Sequence, residues 1–126
     1  MACRITELVI DCVEPQRLGE FWCAVLGYVE IGWDGDDLGI GPAEGGFGGL
    51  QPALVFSRSK EPRRGKLPLH IDVSATDRDQ GAELERLLAL GARKVDIGQT
   101  GEESWHVLAD PEGNEFCLLR ERVEPA

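Results

Sequence analysis

The segment LHIDV, residues 69–73, brings two side chains with acid–base chemistry to one predicted strand. Because successive side chains of a strand point to opposite faces, His70 and Asp72 share a face. An imidazole titrates close to neutral pH and a carboxylate partner fixes its tautomer, so His70 could act as a general base or as a metal ligand. The alternative is a histidine that is simply hydrogen-bonded within a strand.

A cysteine lies on another predicted strand, directly after the turn signal DPEGN at residues 110–114. Alternation puts Cys117 on the same face as Glu115 and Leu119. A thiolate binds zinc well. A free cysteine more often fills space as a small buried hydrophobe, so both interpretations of Cys117 remain open.

Two tryptophans also lie on candidate strands. The indoles of Trp33 and Trp105 could stack on a planar ligand. Packing is the alternative for both, because an indole buries a large apolar area. Trp22 follows helical spacing and is predicted to belong to the core.

The first half of the chain supplies elements in the order β-α-β-β-β. Pro15 suits a first helical position and Gly27 suits the residue after a helix end. The predicted elements are a strand at 5–12, a helix at 14–27, and strands at 28–33, 37–41 and 52–57.

The second half repeats that order, and its sequence features occur at spacings similar to those of the first half. The predicted elements are a strand at 69–75, a helix at 77–91 capped by Asp77, and strands at 93–98, 104–110 and 114–120. The last strands end in Arg58 and Arg120, and aligning these arginines pairs Val55 with Cys117. We therefore predict one domain over 1–126, with modules at about 4–58 and 69–122 and a linker at about 59–68.

Composition excludes several classes of function. The 126 residues carry a formal charge of −10, which repels nucleic-acid phosphates and anionic membranes. No apolar run approaches the ~18 residues of a membrane span. The four cysteines form no C-x-x-C pair, which favours reduced thiols in a cytoplasmic protein.

The ordered set of motifs resembles the vicinal oxygen chelate superfamily, which includes glyoxalase I, extradiol dioxygenases, fosfomycin resistance proteins and bleomycin-binding proteins. The matching pieces are FWxxxLG at 21–27, LHIDV at 69–73, LGA at 90–92 and DPEGN at 110–114. Each is weak alone, but their order covers almost the whole chain. The sequence looks most like the glyoxalase-like subgroup whose members often have no assigned function.

This resemblance implies an α+β fold in which two βαβββ modules form an open, curved, barrel-like cleft of mixed sheet, with the helices outside. A divalent metal commonly sits in that cleft, held from the first and last strand of each module. Carried over by position, the first-strand ligands fall on Glu7 and His70, and the last-strand ligands on Val55 and Cys117. Since valine cannot bind metal, the four-ligand arrangement of glyoxalase I is not available.

The residues implied for the site follow from this placement. We expect His70 and Glu7 as acid and base, or as metal ligands with Cys117 in a three-ligand site. Asp72, Trp33, Trp105 and Cys117 are the candidates for contact with a small-molecule ligand. The resemblance also leads us to expect a homodimer.

Two classes of function remain open from the sequence. One is a lyase or isomerase acting on a small oxygenated metabolite, favoured by the retained His70 and Glu7. The other is a non-catalytic protein resembling bleomycin resistance proteins, favoured by the missing carboxylates. A regulatory or assembly module is a third.

Overall fold

The computed structural model of the chain describes residues 2–61, 67–96, 98–100 and 103–125. The chain divides into two compact units, Met1–Arg64 and Gly65–Ala126. The division falls within the predicted linker at 59–68, of which residues 62–66 lie outside the described residues. Each unit contains a helix and a four-stranded mixed sheet in the predicted order β-α-β-β-β.

The first unit places its first and last strands side by side. Its elements are β1 (Glu7–Cys12), α1 (Pro15–Leu26), β2 (Tyr28–Asp34), β3 (Asp37–Pro42) and β4 (Ala53–Arg58). The strand order is β1-β4-β3-β2, with β1 parallel to β4 and the other pairs antiparallel. As predicted, α1 starts at Pro15 and ends at Gly27, whose φ of 70° is the left-handed conformation that glycine adopts without strain.

One face of this sheet is covered by α1. Leu38, Ile40 and Phe56 are fully buried there. A Cβ added to Gly19 of α1 would lie 2.4 Å from Leu38 Cδ2, so the absence of a side chain lets the helix approach the sheet closely. The opposite face, which we call the front face, carries Val9 and its partner Val55.

A bulge in β2 changes which face its side chains occupy. The β2–β3 register shifts between Glu30 and Gly32, so that Trp33 lies opposite Leu38. Since cross-strand partners share a face, Trp33 lies on the helix side of the sheet. Ile31 instead covers the front face, because its Cδ1 would lie 2.7 Å from a Cβ on Gly41.

The second unit repeats the topology with shorter strands. Its elements are β5 (Ile71–Val73), α2 (Gln80–Leu90), β6 (Arg93–Lys94), β7 (His106–Ala109) and β8 (Glu115–Leu118). The strand order is β5-β8-β7-β6, and β5 again runs parallel to β8. Leu108, Phe116 and Leu118 are buried on one face of the sheet. Neither helix in the described part of the chain is long and apolar enough to cross a membrane.

Three sequence predictions about this unit were wrong in detail. Asp79, not Asp77, caps α2: its Oδ1 accepts a hydrogen bond of 2.8 Å from the Ala82 N–H. Asp77 instead pairs with the neighbouring Arg78, which lowers the pKa of the Asp77 carboxyl. The strand predicted at 93–98 is limited to Arg93–Lys94, and that at 69–75 to Ile71–Val73.

The DPEGN turn is held by one buried carboxylate. Asp110 is completely buried. Its Oδ1 accepts hydrogen bonds from the N–H groups of Glu112 (3.0 Å) and Asn114 (2.9 Å), and its Oδ2 accepts one from Asn114 Nδ2 (2.9 Å). Gly113 supplies the positive φ of 85° that the turn requires. The turn thereby fixes the register between β7 and β8.

Candidate functional site

The candidate site lies on the face of the second-unit sheet that carries Asp72 and Cys117. Because these residues match Val9 and Val55 in position, we call this surface the front face of the second unit. Asp72 and Cys117 are direct partners in the parallel β5–β8 pair, and Cys117 also pairs with Val107 of β7. Partners in a ladder project from the same face. Phe116 and Leu118 point to the opposite, buried face. Cys117 and Asp72 are therefore neighbours on one surface.

His70 completes a cluster of three possible ligands with these residues. His70 Nε2 lies 3.2 Å from Asp72 Oδ1. One donor atom each from His70, Asp72 and Cys117 all lie within 4.8 Å of one another. The side chains of His70 and Asp72 are 56% and 46% exposed, so a ligand from solvent can reach them. Cys117 is half-buried and forms no disulfide.

One backbone and two side-chain hydrogen bonds hold the strands that carry these residues. Beyond the strands, the N–H of Leu119 donates to Val73 O at 2.9 Å, which prolongs the β5–β8 pairing past Cys117. From α2, Gln80 Nε2 donates to Ser104 O (2.8 Å) and to Leu118 O (3.3 Å). The helix is thus tied to the end of β8 and to the segment before β7. Asp72 and Cys117 thus lie on paired strands, and His70 directly precedes β5.

The three donors suit a divalent metal ion. Zinc binds imidazole nitrogen, carboxylate oxygen and thiolate sulfur at about 2.0–2.3 Å, which puts ligand atoms of a tetrahedral site roughly 3.4–3.7 Å apart. The pair of His70 and Asp72 already has nearly that separation, at 3.2 Å. The largest separation, 4.8 Å, needs about 1 Å of side-chain movement. Three protein ligands leave a fourth position for water or substrate.

Glu7, predicted as the partner of His70, lies at the start of β1 in the first unit. It pairs with Ala53, and its side chain is exposed. Val55, the position matching Cys117, pairs with Val9. The roles of Glu7 as acid–base group and as metal ligand stay predictions. Within the second unit, Asp72 is the carboxylate that lies with His70 and Cys117.

The two candidate tryptophans occupy different surroundings. Trp105 directly precedes β7 and is 43% exposed. Continuing the β7–β8 register by one residue puts it opposite Leu119, on the front face with Cys117. Trp33 is 47% exposed and lies on the helix side of the first-unit sheet. Ligand contact by either residue stays a prediction.

Sequence reasoning did not assign metal binding to Asp72, although the signal was present. Asp72 was predicted to share a face with His70 and to contact a small-molecule ligand. What was missing is its direct pairing with Cys117, which follows from the adjacency of β5 and β8. Two ligands at i and i+2 plus a third on the neighbouring strand are therefore the pattern to look for in such a module.

A shallow depression in the first unit holds the thiol whose pKa is perturbed. It is lined by Glu20, Cys23, Ala24, Tyr28, Val29 and Glu30. Burial raises the pKa of Cys23, and the carboxylates of Glu30 and Glu20 raise it further. Since the thiolate is the reactive form, Cys23 is a poor nucleophile at neutral pH.

The family model of the glyoxalase-like domain matches residues 7–119. No curated protein matches the chain. Similar solved structures include a fosfomycin resistance protein from Listeria monocytogenes in complex with Mn(II) and 1S,2S-dihydroxypropylphosphonic acid, with a TM-score of 0.69, 14% identity and coverage of 94% of this chain and 90% of that chain.

Two further solved structures have similar scores. A glyoxalase/bleomycin resistance protein/dioxygenase family enzyme from Burkholderia phytofirmans gives a TM-score of 0.66 at 16% identity, covering 90% of this chain and 94% of that chain. A possible glyoxalase from Bacillus cereus gives 0.65 at 16% identity, covering 94% and 99%. At such identities these likenesses show the fold.

Proposed function

The chain belongs to the glyoxalase-like domain family within the vicinal oxygen chelate superfamily, and from this premise we propose that it binds a small oxygenated metabolite and acts on it as a lyase or isomerase. The observation that carries the proposal is the cluster of His70, Asp72 and Cys117 on an accessible sheet face. A purely structural histidine would not need a carboxylate and a thiol within 4.8 Å.

The chain's own residues divide the chemistry between them. In the metal-free arrangement, His70 takes a proton from the substrate and returns it, as a histidine held beside a carboxylate can do. Asp72, 3.2 Å from the ring, orients the imidazole and stabilises its protonated form. Cys117 lies beside Asp72 in the ladder and bounds the site on the β8 side. Glu7 is proposed as a second acid–base group.

In the alternative arrangement a divalent metal ion is bound, and the same side chains serve as its ligands instead of as acid and base. His70, Asp72 and Cys117 are the residues that would hold it, whereas the sequence prediction has Glu7 in place of Asp72. When bound, such an ion acts as a Lewis acid toward two neighbouring substrate oxygens. Trp105, exposed beside β7, is proposed to contact an apolar or planar part of the ligand.

The test is binding and turnover of a panel of compounds with vicinal oxygens, namely 2-hydroxy acids, 1,2-diols and catechols. Quenching of tryptophan fluorescence reports binding, and mass spectrometry reports product. We expect at least one compound class to bind, and His70→Ala to weaken binding by about 10-fold or more and to remove turnover.

His106→Ala is the matched control, because His106 pairs with Leu118 and so lies on the opposite face of the same sheet. Equal loss in both variants, or binding that survives His70→Ala and Asp72→Asn unchanged, would contradict the assignment of the site. Binding of the panel without any product would instead favour the second candidate function.

That second candidate is a non-catalytic drug- or metabolite-binding protein resembling bleomycin resistance proteins. It is favoured by Val55, which stands where the resemblance implies a metal-binding carboxylate, and by the exposed ring of Trp105. An acidic chain of net charge −10 would attract cationic ligands. Tight binding of a cationic aromatic compound that depends on Trp105 and not on His70 is the result expected of this function.

Assembly and location belong to the same proposal. We propose a homodimer, which size-exclusion chromatography with light scattering would detect as twice the chain mass of 13.8 kDa. A cytoplasmic location is supported by four cysteines without disulfides, all within described residues. Monomer mass at micromolar concentration would contradict the dimer and leave the site proposal unaffected.

A further inference from the structure

We propose that the cluster of His70, Asp72 and Cys117 is a zinc-class metal site contained in the second unit, in which the Cys117 thiolate selects against manganese. The inference deepens the proposed function and rests on the metal included there. It assigns Asp72 as a ligand and names the class of ion.

The backbone already brings the donors together. Asp72 and Cys117 are directly opposite in the parallel β5–β8 pair, so their Cβ atoms are about 5 Å apart. His70 is two residues from Asp72 on the same face, and its Nε2 lies 3.2 Å from Asp72 Oδ1. Binding an ion therefore requires rotation of exposed side chains and no change in strand pairing.

The donor set discriminates between ions. Thiolate is a soft ligand that favours zinc, whereas manganese prefers carboxylate, carbonyl and water oxygens. A thiolate rather than a second carboxylate in the cluster therefore favours zinc over manganese. The Listeria fosfomycin resistance protein was solved with Mn(II), so we expect this chain to differ from it in metal preference.

The ligand count also fits zinc. Three protein donors with an open fourth position are typical of catalytic zinc sites. Manganese, with its preference for six oxygen ligands, would take only one oxygen from this cluster, that of Asp72. The exposure of His70 and Asp72 leaves room for the fourth ligand from solvent or substrate.

The experiment uses the full chain, stripped of metal by dialysis against chelator and then titrated with Zn(II) or Mn(II) alone by calorimetry. Because most sites bind zinc more tightly than manganese, the informative quantity is the Zn/Mn affinity ratio compared between variants. We expect Cys117→Glu to lower this ratio by about 100-fold, and Asp72→Asn to weaken Zn(II) by about 10-fold or more.

Cobalt gives a second readout that a structural role would not affect. Co(II) added to the stripped protein should show a thiolate-to-cobalt charge-transfer band, which disappears in Cys117→Ser. Cys3→Ser is the control, since Cys3 is an exposed cysteine in the other unit. Circular dichroism of each variant checks that it is folded, and Cys117→Ser is the variant to use if Cys117→Glu does not fold.

An unchanged Zn/Mn ratio in Cys117→Glu, or the absence of the charge-transfer band in the native chain, would overturn the inference. Ligand binding separates this failure from failure of the proposed function. If the vicinal-oxygen panel binds in the presence of chelator while no metal binds, only the inference fails. If zinc binds through Cys117 and no compound of the panel binds, the proposed function fails and the inference stands.

Discussion

The sheets of the two units have the same strand order and carry opposite chemistry at matching positions. In the first unit, the parallel pair of first and last strands joins Val9 to Val55. In the second, the corresponding pair joins Asp72 to Cys117. The residues two positions earlier on the first strands are Glu7 and His70. The repeated topology thus creates equivalent positions in the two sheets. At these positions the first unit has two valines, and the second has a carboxylate and a thiol side by side.

The units also differ in the connection before their last strand. The first unit uses the long glycine-rich segment 43–52, which Arg4 holds through hydrogen bonds to Gly48 O and, at 2.7 Å, to Gly49 O. The second uses the short turn held by Asp110. A tight turn fixes strand register, and register determines the face on which Cys117 projects. The unit with the candidate ligands is the one with the more strictly defined last strand.

The strongest test of this comparison makes the second unit resemble the first. Asp72→Val combined with Cys117→Val reproduces the pair of Val9 and Val55, and we expect Zn(II) affinity to fall by about 10⁴-fold. The reason is that even a residue that only hydrogen-bonds to a metal ligand costs 10–100-fold in metal affinity when it is replaced, so each direct ligand costs at least the upper value. Competition with a chelating indicator dye measures the affinity.

Val55→Ala is the control for that variant and should leave Zn(II) affinity unchanged, because it alters the same position in the other unit. If the zinc affinity is unchanged in the double variant, the ligands lie elsewhere, and the comparison of the two units does not locate the site.

The second test concerns the two connections. Asp110→Ala removes the acceptor of three hydrogen bonds at a fully buried position, and we expect the free energy of unfolding to fall by about 3 kcal/mol. Arg4→Ala, which removes an exposed clamp on the first unit's loop, should cost less than about 1 kcal/mol. Urea unfolding of both variants gives the two values, and equal costs would contradict the claim that only the second connection is strictly held.

The third test compares the two helices. Gly19→Ala puts a methyl group against the buried Leu38, at a cost of about 1–3 kcal/mol for overpacking, offset by about 1 kcal/mol of helix propensity. We expect a net loss of about 1 kcal/mol. Gly81→Ala in α2 meets only an ordinary contact, 3.5 Å from Asp79 Oδ1, and should stabilise by about 0.5 kcal/mol. Thermal unfolding should therefore shift in opposite directions, and shifts of the same sign would show that close helix packing is not specific to the first unit.

The smallest expected effect concerns the thiols. Burial, Glu30 and Glu20 raise the pKa of Cys23 above its ordinary value, so Cys23 stays protonated to higher pH and is alkylated more slowly than a free model thiol. Glu30→Gln should move the onset of alkylation to lower pH by removing one carboxylate. Peptide mass spectrometry after iodoacetamide labelling across a pH series measures both rates. If Cys23 is labelled as fast as the model thiol, the expected difference in alkylation rate is contradicted.

Much of the fold could be predicted from the sequence because its signals are local. Pro15 and Gly27 marked the ends of α1, and Gly91 marked the end of α2. The cap of α2 was misplaced because Asp77 and Asp79 are both good caps. Asp79 is the cap of α2 because its side chain accepts a hydrogen bond from the Ala82 N–H. The carboxylate of Asp77 is instead paired with Arg78.

The candidate site was predictable in part, for a physical reason. Alternation alone placed His70 with Asp72, and Cys117 opposite the buried Phe116. Whether Cys117 lies beside His70 and Asp72 depends on which strands are adjacent in the sheet. The resemblance implied that adjacency, and the local sequence pattern did not. The face of Trp33 was not predicted, because the bulge between Glu30 and Gly32 reverses the alternation, and Gly32, an isolated glycine in the strand pattern, was the available signal. The part of Glu7 in the site stays a prediction.

The position of β8 between β5 and β7 has a consequence for how the protein is made. Among the described strands, β5 pairs within the second-unit sheet with β8 alone, and His70 and Asp72 are synthesised before the strand that carries Cys117. A nascent or truncated chain therefore lacks the third donor, and the cluster appears only when synthesis of the unit is nearly complete. An ion held by the proposed site would therefore bind after these strands have been made, rather than guide early folding.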